Sequence, residues 1–180
     1  MTMIILVLGG VRSGKSRMGE EYALALAKQE TDPLYYFATA RSDTGDDQLA
    51  TRIARHQASR DKRFTTIEIG MGDNTLAKCI STLPSPSILV IDGMGMWLAG
   101  LGRGEKWQDE IAATLTAIKH GKHSAVFISD EVGLGLLPTN PVARQFTDDL
   151  GSLNQTLAKA ADSVVVCVAG IASILKGNAP

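Results

Sequence analysis

The amino-terminal segment constrains the fold most strongly, because it joins an apolar run directly to a glycine-rich loop. Residues Ile4–Leu8 are all aliphatic, which predicts a β-strand that is covered on both faces. The next eight residues, Gly9–Ser16, match the pattern G-x-x-x-x-G-K-[ST] in full. Met18, Tyr22 and Leu26 then follow at helical spacing. The chain is therefore predicted to begin with a strand–loop–helix unit.

The residue types in this loop suit the binding of a triphosphate. Glycines allow the backbone to curl so that successive N–H groups point at phosphate oxygens. Lys15 places a cation against the outer phosphates, the Ser16 hydroxyl can ligate Mg²⁺, and the helix start adds its positive end. The alternative is a glycine turn that only links strand to helix, but the position at the junction favours nucleotide binding. The predicted phosphate-binding residues are Gly9, Gly10, Val11, Arg12, Ser13, Gly14, Lys15 and Ser16, with Lys15 also catalytic.

The rest of the chain alternates short apolar runs with helical stretches. The further predicted strands are Leu34–Ala38, Ile88–Ile91, Ala125–Ile128 and Val164–Val168, with a weaker one at Thr65–Ile69 nearer an edge. Apolar stripes over 107–118 and 142–157 predict two longer helices. This order predicts an α/β fold of the P-loop NTPase type, with a mainly parallel central sheet and helices on both faces. We expect a single nucleotide-binding domain over residues 1–180.

Two segments are predicted to be irregular. Gly93–Gly104 contains five glycines, and we expect a loop with a partly formed turn of helix. The residues after Gly170 are expected to be loosely held. His120 and His123 lie in a turn rich in Lys and Gly and are expected to be exposed.

The net charge and the lengths of the apolar runs restrict the kinds of partner that the chain is expected to bind. Eighteen basic and nineteen acidic residues give a net charge of −1, so no nucleic-acid partner is predicted, because such binding needs concentrated Lys and Arg. No apolar run is long enough to span a membrane, and the chain lacks the features of a signal peptide. Cys79 and Cys167 are far apart in sequence and are expected to be reduced thiols. A cytoplasmic location is expected.

A magnesium ion beside the triphosphate requires a carboxylate at a neighbouring strand end. Asp92 follows one predicted strand, and Asp130 and Glu131 follow another. We favour Asp92 together with Ser16 for the metal, although an Asp at this position can also simply form a turn. Asp130 and Glu131 remain open, because they lie at the same edge of the sheet.

A histidine lies on a predicted helix within Asp46–Lys62. Leu49, Ile53, His56 and Arg60 share one helical stripe. Basic residues around an imidazole suit a phosphate-bearing group, and the imidazole can act as a covalent nucleophile. The alternative is a partly buried histidine on a helix that covers the sheet.

Several motifs, in order over nearly the whole chain, resemble the bifunctional adenosylcobinamide kinase / adenosylcobinamide-phosphate guanylyltransferase family of cobalamin biosynthesis. They are Gly9–Ser16 for G-G-x-R-S-G-K-S, Tyr36–Ala40 for Tyr-x-Ala-Thr-Ala, Arg52–Arg60 for Arg-Ile-x-x-His-x-x-x-Arg, Thr66–Glu68 for Thr-x-Glu, Asp92 closing a strand, and Asp130–Pro138 for Asn-Glu-Val-Gly-x-Gly-x-x-Pro. Asp130 stands where the family usually has Asn, Gln48 where it has Glu, and Phe64 where it has Trp.

The resemblance implies two reactions that use Mg²⁺ and take ATP or GTP as substrate. A kinase step phosphorylates the hydroxyl of adenosylcobinamide. In the second step the family histidine, which maps onto His56, attacks the α-phosphate of GTP and passes GMP to adenosylcobinamide phosphate. Family nucleotide-contact positions map onto Thr39, Ala40, Arg41, Gln57, Ala58, Ser59, Arg60, Glu68 and Asp92. Glu68 could select guanine through its N1 and N2 hydrogens, and the family implies a homotrimer.

Two other functions remain open from the residues. One is a monofunctional P-loop kinase of another small alcohol, with His56 structural. The other is a GTP-binding module that has lost catalysis.

Overall fold

One seven-stranded sheet forms the centre of the protein, as seen in a computed structural model that describes residues 2–39, 51, 54, 57–58, 60–69, 75–101, 107–178 and 180. The strand order is β3-β2-β4-β5-β1-β6-β7. The strands are β1 Ile4–Gly9, β2 Leu34–Ala38, β3 Phe64–Glu68, β4 Ile88–Asp92, β5 Ser124–Asp130, β6 Ser163–Val168 and β7 Ile171–Lys176. All neighbouring pairs are parallel except β6 and β7.

Helices cover both faces of this sheet. They are α1 Lys15–Leu26, α2 Leu76–Ser81, α3 Met94–Gly100, α4 Trp107–His120 and α5 Pro141–Ala160. Thr51, Ala54, Gln57 and Ala58 are also helical, as predicted for that segment. Apolar side chains of α2 to α5 pack on one face of the sheet, and those of α1 pack on the other. Within the described residues, no helix is long and apolar enough to cross a bilayer.

The predicted fold class is confirmed, with strand ends within two residues of the expected positions. The central strands β1, β4 and β5 are almost wholly buried, which explains their unbroken apolar sequence. The weaker strand β3 lies at the edge of the sheet, as expected. Leu150, Leu153 and Leu157 of the α5 stripe are fully buried. Both cysteines are free.

The expectation of a loop from Gly93 was wrong over Met94–Gly100, which forms α3. Met94, Trp97 and Leu98 follow helical spacing, and all three are buried. Burial of this apolar face outweighs the low helix propensity of the glycines. The last part of the predicted loop, 102–104, lies outside the described residues.

The expectation of a loosely held carboxyl-terminal segment was also wrong. Residues Ile171–Lys176 form the edge strand β7, antiparallel to β6. The two-residue turn between them has positive φ at both Ala169 (53°) and Gly170 (79°), which is the conformation that favours tight hairpins. The Lys176 ammonium donates to the carbonyl oxygens of Ala158 and Ala161 at 2.9 and 2.6 Å. The strand is thereby tied to the end of α5.

His123 is buried, contrary to the expected exposure, whereas His120 is exposed as predicted. The imidazole of His123 is 2% accessible, and its Nδ1 accepts a hydrogen bond of 3.1 Å from the Ser87 backbone N–H. Burial lowers the pKa of His123, which keeps the acceptor nitrogen unprotonated near neutral pH. The residue therefore joins the starts of β4 and β5 and has a structural role.

Candidate functional site

Several of the predicted site residues that the structure describes lie at the carboxyl edge of the parallel strands. Along this edge, Glu68 of β3 is in register with Ala38 of β2, and Ala38 is in register with Asp92 of β4. Gly9 of β1 is in register with Asp130 of β5. Parallel strands present their carboxyl ends at one edge, so residues far apart in sequence meet there. The edge carries the glycine loop and three carboxylates.

A crevice is expected between β1 and β5, because the chain leaves these neighbouring strands in opposite directions. After β1 it crosses through α1 towards β2, and after β5 it crosses through α5 towards β6. Helices α1 and α5 pack on opposite faces of the sheet. In open α/β sheets, ligands bind at such a switch point. The loop Gly9–Ser16 and the segment after Asp130 form its two sides.

The glycine loop adopts a conformation that depends on its residue types. Gly14 caps α1 with φ 93°, a region that glycine enters without steric cost. Arg12 also has positive φ, at 57°. A Cβ at Gly9 would lie 2.4 Å from Ser13 Oγ and 2.8 Å from the carbonyl oxygen of Cys167, so no larger residue fits. The tight curl brings loop N–H groups and the amino end of α1 to the crevice, as phosphate binding requires.

The carboxyl-terminal hairpin supports this loop, a contact that the sequence did not reveal. The Gly170 backbone N–H donates to the Ser13 carbonyl oxygen at 2.8 Å. A Cβ at Gly14 would lie 3.2 Å from Gly170 Cα, so the two backbones touch. The only sequence signal for this contact was the Ala169-Gly170 turn pair. The turn between β6 and β7 therefore holds the glycine loop from behind.

Lys15 reaches across the crevice to the end of β5. Its ammonium lies 2.8 Å from Asp130 Oδ1 and 3.1 Å from the Gly10 carbonyl oxygen. The side chains are 14% and 31% accessible, so the pair is partly shielded from solvent. Glu131 turns away: its carboxylate accepts from the Gly133 N–H at 2.7 Å. Of the two open acidic candidates, Asp130 therefore faces Lys15 and Glu131 caps its own loop.

Asp92 is held in place from both its side chain and its backbone. The Tyr36 hydroxyl donates a short hydrogen bond to Asp92 Oδ2. Thr39 Oγ1 lies 2.8 Å from the Asp92 carbonyl oxygen and 2.6 Å from that of Gly93. The structure gives no partner to Asp92 Oδ1 within the described part of the chain. Thr39, predicted to contact nucleotide, thus also fixes the turn after β4.

Tyr36 in turn is held by two neighbours. Its hydroxyl-bearing ring is 1% accessible and packs edge-on against Phe64, with ring centroids 6.0 Å apart. The Arg60 guanidinium lies over the ring, 3.4 Å from its centroid. Burial raises the pKa of Tyr36, and the neighbouring Asp92 charge raises it further. The phenol therefore remains a hydrogen-bond donor at physiological pH.

Other predicted nucleotide contacts lie around this cluster. Arg60 Nη1 donates to Thr66 Oγ1 at 2.7 Å, and Gln57 Nε2 approaches Glu68 Oε1 at 3.5 Å. Gln57, Ala58 and Glu68 are exposed, so they are accessible to a ligand. Four predicted site residues lie outside the described residues. They are the predicted nucleophile His56 and the predicted nucleotide contacts Ala40, Arg41 and Ser59.

Glu20 is a site residue that the sequence interpretation missed. It lies on α1 one turn after Ser16, and burial raises the pKa of its carboxyl from 4.5 to about 7, an effect that Arg60 opposes and Asp92 reinforces. The spacing of four from Ser16 on one helix face was the available signal. The carboxyl belongs to the same charged group as Arg60 and Asp92.

The oxygen donors at this edge suit Mg²⁺. Asp92 and Ser16 supply a carboxylate and a hydroxyl, which are ligands that this hard cation prefers. Among the described residues there is no group of three or more His, Cys, Asp or Glu side chains that could hold a metal ion. A magnesium ion here would therefore depend on phosphate oxygens of the nucleotide for further ligands, as is usual for this ion.

A family model and two similar proteins agree on one family. A family model described as cobinamide kinase / cobinamide phosphate guanyltransferase matches residues 5–175. The bifunctional adenosylcobalamin biosynthesis protein CobP of Pseudomonas aeruginosa is 32% identical over 176 residues, covering 96% of this chain and 97% of that protein. The protein CobU of Salmonella typhimurium, which carries the same description, is 33% identical over 195 residues, covering 97% and 100%.

Solved structures with low sequence identity share the fold. The flagellar accessory protein FlaH from Methanocaldococcus jannaschii matches with a TM-score of 0.53 and 14% identity, over 98% of this chain and 79% of that one. A KaiC-like protein from Pyrococcus horikoshii matches with a TM-score of 0.50 and 12% identity, over 91% and 70%. At these identities the likeness concerns architecture alone.

Proposed function

This chain belongs to the cobinamide kinase / cobinamide phosphate guanyltransferase family, and we propose that it catalyses both reactions in that name as a single P-loop domain over residues 1–180. It phosphorylates adenosylcobinamide with ATP or GTP, and then transfers GMP from GTP to the resulting phosphate. The observation that carries the proposal is the glycine loop at the crevice between β1 and β5, with Lys15 reaching across it. A cytoplasmic location stays a prediction from the sequence.

Binding of the triphosphate begins with a change of partner for Lys15. The phosphates take the place of Asp130 Oδ1 and of the Gly10 carbonyl oxygen at the ammonium. Loop N–H groups and the amino end of α1 add hydrogen bonds to the same oxygens. Because these donors are fixed before the reaction, they stabilise the charge that develops on the phosphates during transfer.

Asp92 and Ser16 are proposed to hold Mg²⁺, which would supply positive charge against the charge that develops on the phosphates. Asp92 is favoured over the other acidic candidates for a specific reason. Its Oδ2 accepts from the neutral hydroxyl of Tyr36, which leaves the carboxylate charge available to a cation, whereas the Asp130 carboxylate contacts the Lys15 ammonium and the Glu131 carboxylate accepts from Gly133. Tyr36 and Thr39 hold Asp92 in one orientation.

For the second reaction, His56 is proposed as the nucleophile. Its imidazole attacks the α-phosphate of GTP, the bond to pyrophosphate breaks, and GMP is carried on the ring nitrogen until the cobinamide phosphate oxygen displaces it. The helical residues Gln57 and Ala58 are exposed beside this position. Glu68 approaches Gln57 and is proposed to recognise the N1 and N2 hydrogens of guanine. If Glu68→Ala leaves the preference for GTP over ATP unchanged, this assignment is wrong.

Self-association is also proposed, as a trimer by resemblance to the family. The loop after β5 and the β6–β7 hairpin expose large apolar side chains, and surfaces of this kind usually mark interfaces. These residues are Val132, Leu134, Leu136, Leu137, Val168, Ile171, Ile174 and Leu175. Light scattering on the purified protein should give the mass of three chains, and the mass of one chain would exclude it.

The function is tested by following two labels on GTP. With α-labelled GTP and Mg²⁺, the denatured protein should retain label that is acid-labile and base-stable, as a phosphoramidate is. The label should disappear in His56→Ala and persist in His120→Ala, which removes an exposed histidine at the far edge of the sheet. With γ-labelled nucleotide, label should pass to adenosylcobinamide.

The other outcomes identify the alternatives. Transfer of γ-label without a protein-bound α-label indicates a monofunctional kinase. Nucleotide binding with neither transfer indicates a GTP-binding module. Label that persists in His56→Ala excludes His56 as the nucleophile.

A further inference from the structure

We infer that Tyr36 is a positioning residue for Asp92, and that Arg60, stacked on the Tyr36 ring, holds the phenol in that position. The inference rests on the proposed function, because it takes Asp92 to be a magnesium ligand.

The first step concerns the two oxygens of Asp92. The Tyr36 hydroxyl donates to Oδ2, so Oδ1 is the oxygen turned to a metal. Residues that hydrogen-bond to a metal ligand orient it and tune its affinity. The backbone of Asp92 is already fixed by Thr39, and the remaining freedom of the side chain is its own rotation. Tyr36 removes that freedom.

The second step concerns the orientation of Tyr36 itself. Its ring contacts both the edge-on ring of Phe64 and the guanidinium of Arg60. A guanidinium 3.4 Å from the ring centroid makes a cation–π contact, which is stronger where water is excluded. Tyr36 is 1% accessible, so this contact is shielded. The phenol therefore points at Asp92 only while both neighbours are in place.

The third step is the position of Arg60 in the chain. It follows the helical residues Gln57 and Ala58 by two or three positions and is four residues after His56. Its Nη1 is anchored on Thr66 of the edge strand at 2.7 Å. Arg60 is thereby held on the edge strand, where its guanidinium lies over the Tyr36 ring.

Binding of a fluorescent GTP analogue, titrated with Mg²⁺, tests the role of Tyr36 without relying on turnover. Tyr36→Phe removes only the hydroxyl and should raise the Mg²⁺ concentration for half-maximal binding by roughly 10-fold or more. Affinity without Mg²⁺ should stay unchanged. The matched control is Tyr35→Phe, a neighbouring tyrosine that packs on the other face of the sheet and should behave like the parent.

Asp92→Asn, measured in the same titration, shows whether a negative result concerns the positioning role of Tyr36 or the metal role of Asp92. If Asp92→Asn shifts the magnesium dependence and Tyr36→Phe does not, the positioning role is overturned and the proposed function stands. If Asp92→Asn has no effect, the metal role of Asp92 is wrong, and the inference is overturned with it. If Tyr36→Phe weakens binding equally with and without Mg²⁺, its role is structural and the inference is also overturned.

Arg60→Met tests the role of Arg60, because it keeps an unbranched apolar stem and removes the planar charge. It should shift the magnesium dependence in the same direction as Tyr36→Phe, and the double variant should add little to either. Such non-additivity is expected of residues that act through one contact. Arg63→Met, at an arginine paired with Asp61 outside the cluster, is the control. Parent-like behaviour of Arg60→Met, or full additivity, would overturn the role of Arg60.

Discussion

Replacing Glu20 by Gln should stabilise the protein, and the gain should grow with pH. In the folded state burial raises the pKa of this carboxyl from 4.5 to about 7, with Arg60 acting in the opposite direction. Between these two pH values the folded protein holds a proton that the unfolded chain has lost. Stability therefore falls as pH rises through this window, and above about 7 the full cost of the buried charge is present. Gln carries no charge, so the variant avoids the free-energy cost of burying a carboxylate.

The size of the effect follows from the pKa difference and the exposure. A change from 4.5 to about 7 would be equivalent to ~3 kcal/mol for a fully shielded carboxyl. Glu20 is only half-buried, and solvent screening reduces the expected gain to ~1 kcal/mol at pH 8. At pH 5 most of the parent is protonated at Glu20, so the two proteins should differ little.

Urea denaturation followed by circular dichroism at pH 5 and pH 8 measures this difference directly. The matched control is Glu21→Gln, at the next residue, which is exposed and pairs with Arg17 at 3.8 Å. It should change stability by a few tenths of a kcal/mol at most. A Glu20→Gln variant that is less stable than the parent at pH 8 would show that attraction to Arg60 outweighs burial, and would refute the reasoning.

Two further substitutions test the geometry of the carboxyl edge. Gly93→Ala places a Cβ 2.8 Å from Thr39 Oγ1 at a φ of 87°, so the free energy of unfolding should fall by ~1–3 kcal/mol. The control is Gly100→Ala, whose Cβ meets no atom within 4 Å. Equal losses of stability in the two variants would contradict the account. Asp130→Asn removes the carboxylate that holds Lys15 at 2.8 Å, so affinity for GTP should rise roughly fivefold by calorimetry. A loss of magnesium-dependent affinity in Asp130→Asn would instead make Asp130 the metal ligand.

The sequence predicted the features that depend on local pattern. The glycine loop has a fixed order of residues, and fully buried parallel strands require unbroken apolar runs such as Ile4–Leu8. Both signals lie within a few neighbouring residues, so they can be recognised without knowledge of the fold. Asp92 and Asp130 could be assigned to one edge because each follows a predicted strand.

The sequence could not predict features that depend on packing between distant segments. The helix at Met94–Gly100 forms against local propensity because the sheet buries Met94 and Trp97. The support of Ser13 by Gly170 joins the two ends of the chain. The pKa of Glu20 is raised by burial, with the Asp92 charge raising it further and Arg60 lowering it, and all of these depend on where α1 packs. For Ser13 and Glu20 the partners named here lie forty or more positions away in the sequence.

Calorimetric binding of GTP with and without Mg²⁺, in the parent and in Lys15→Ala, tests the central claim most directly. The account predicts magnesium-dependent binding by the parent and an affinity roughly tenfold or more weaker in Lys15→Ala, because a charge-assisted hydrogen bond to phosphate is lost. Lys28→Ala, at an exposed lysine beyond the end of α1, should bind like the parent. Equal affinities of Lys15→Ala and the parent, or no magnesium-dependent binding at all, would contradict the proposed phosphate site.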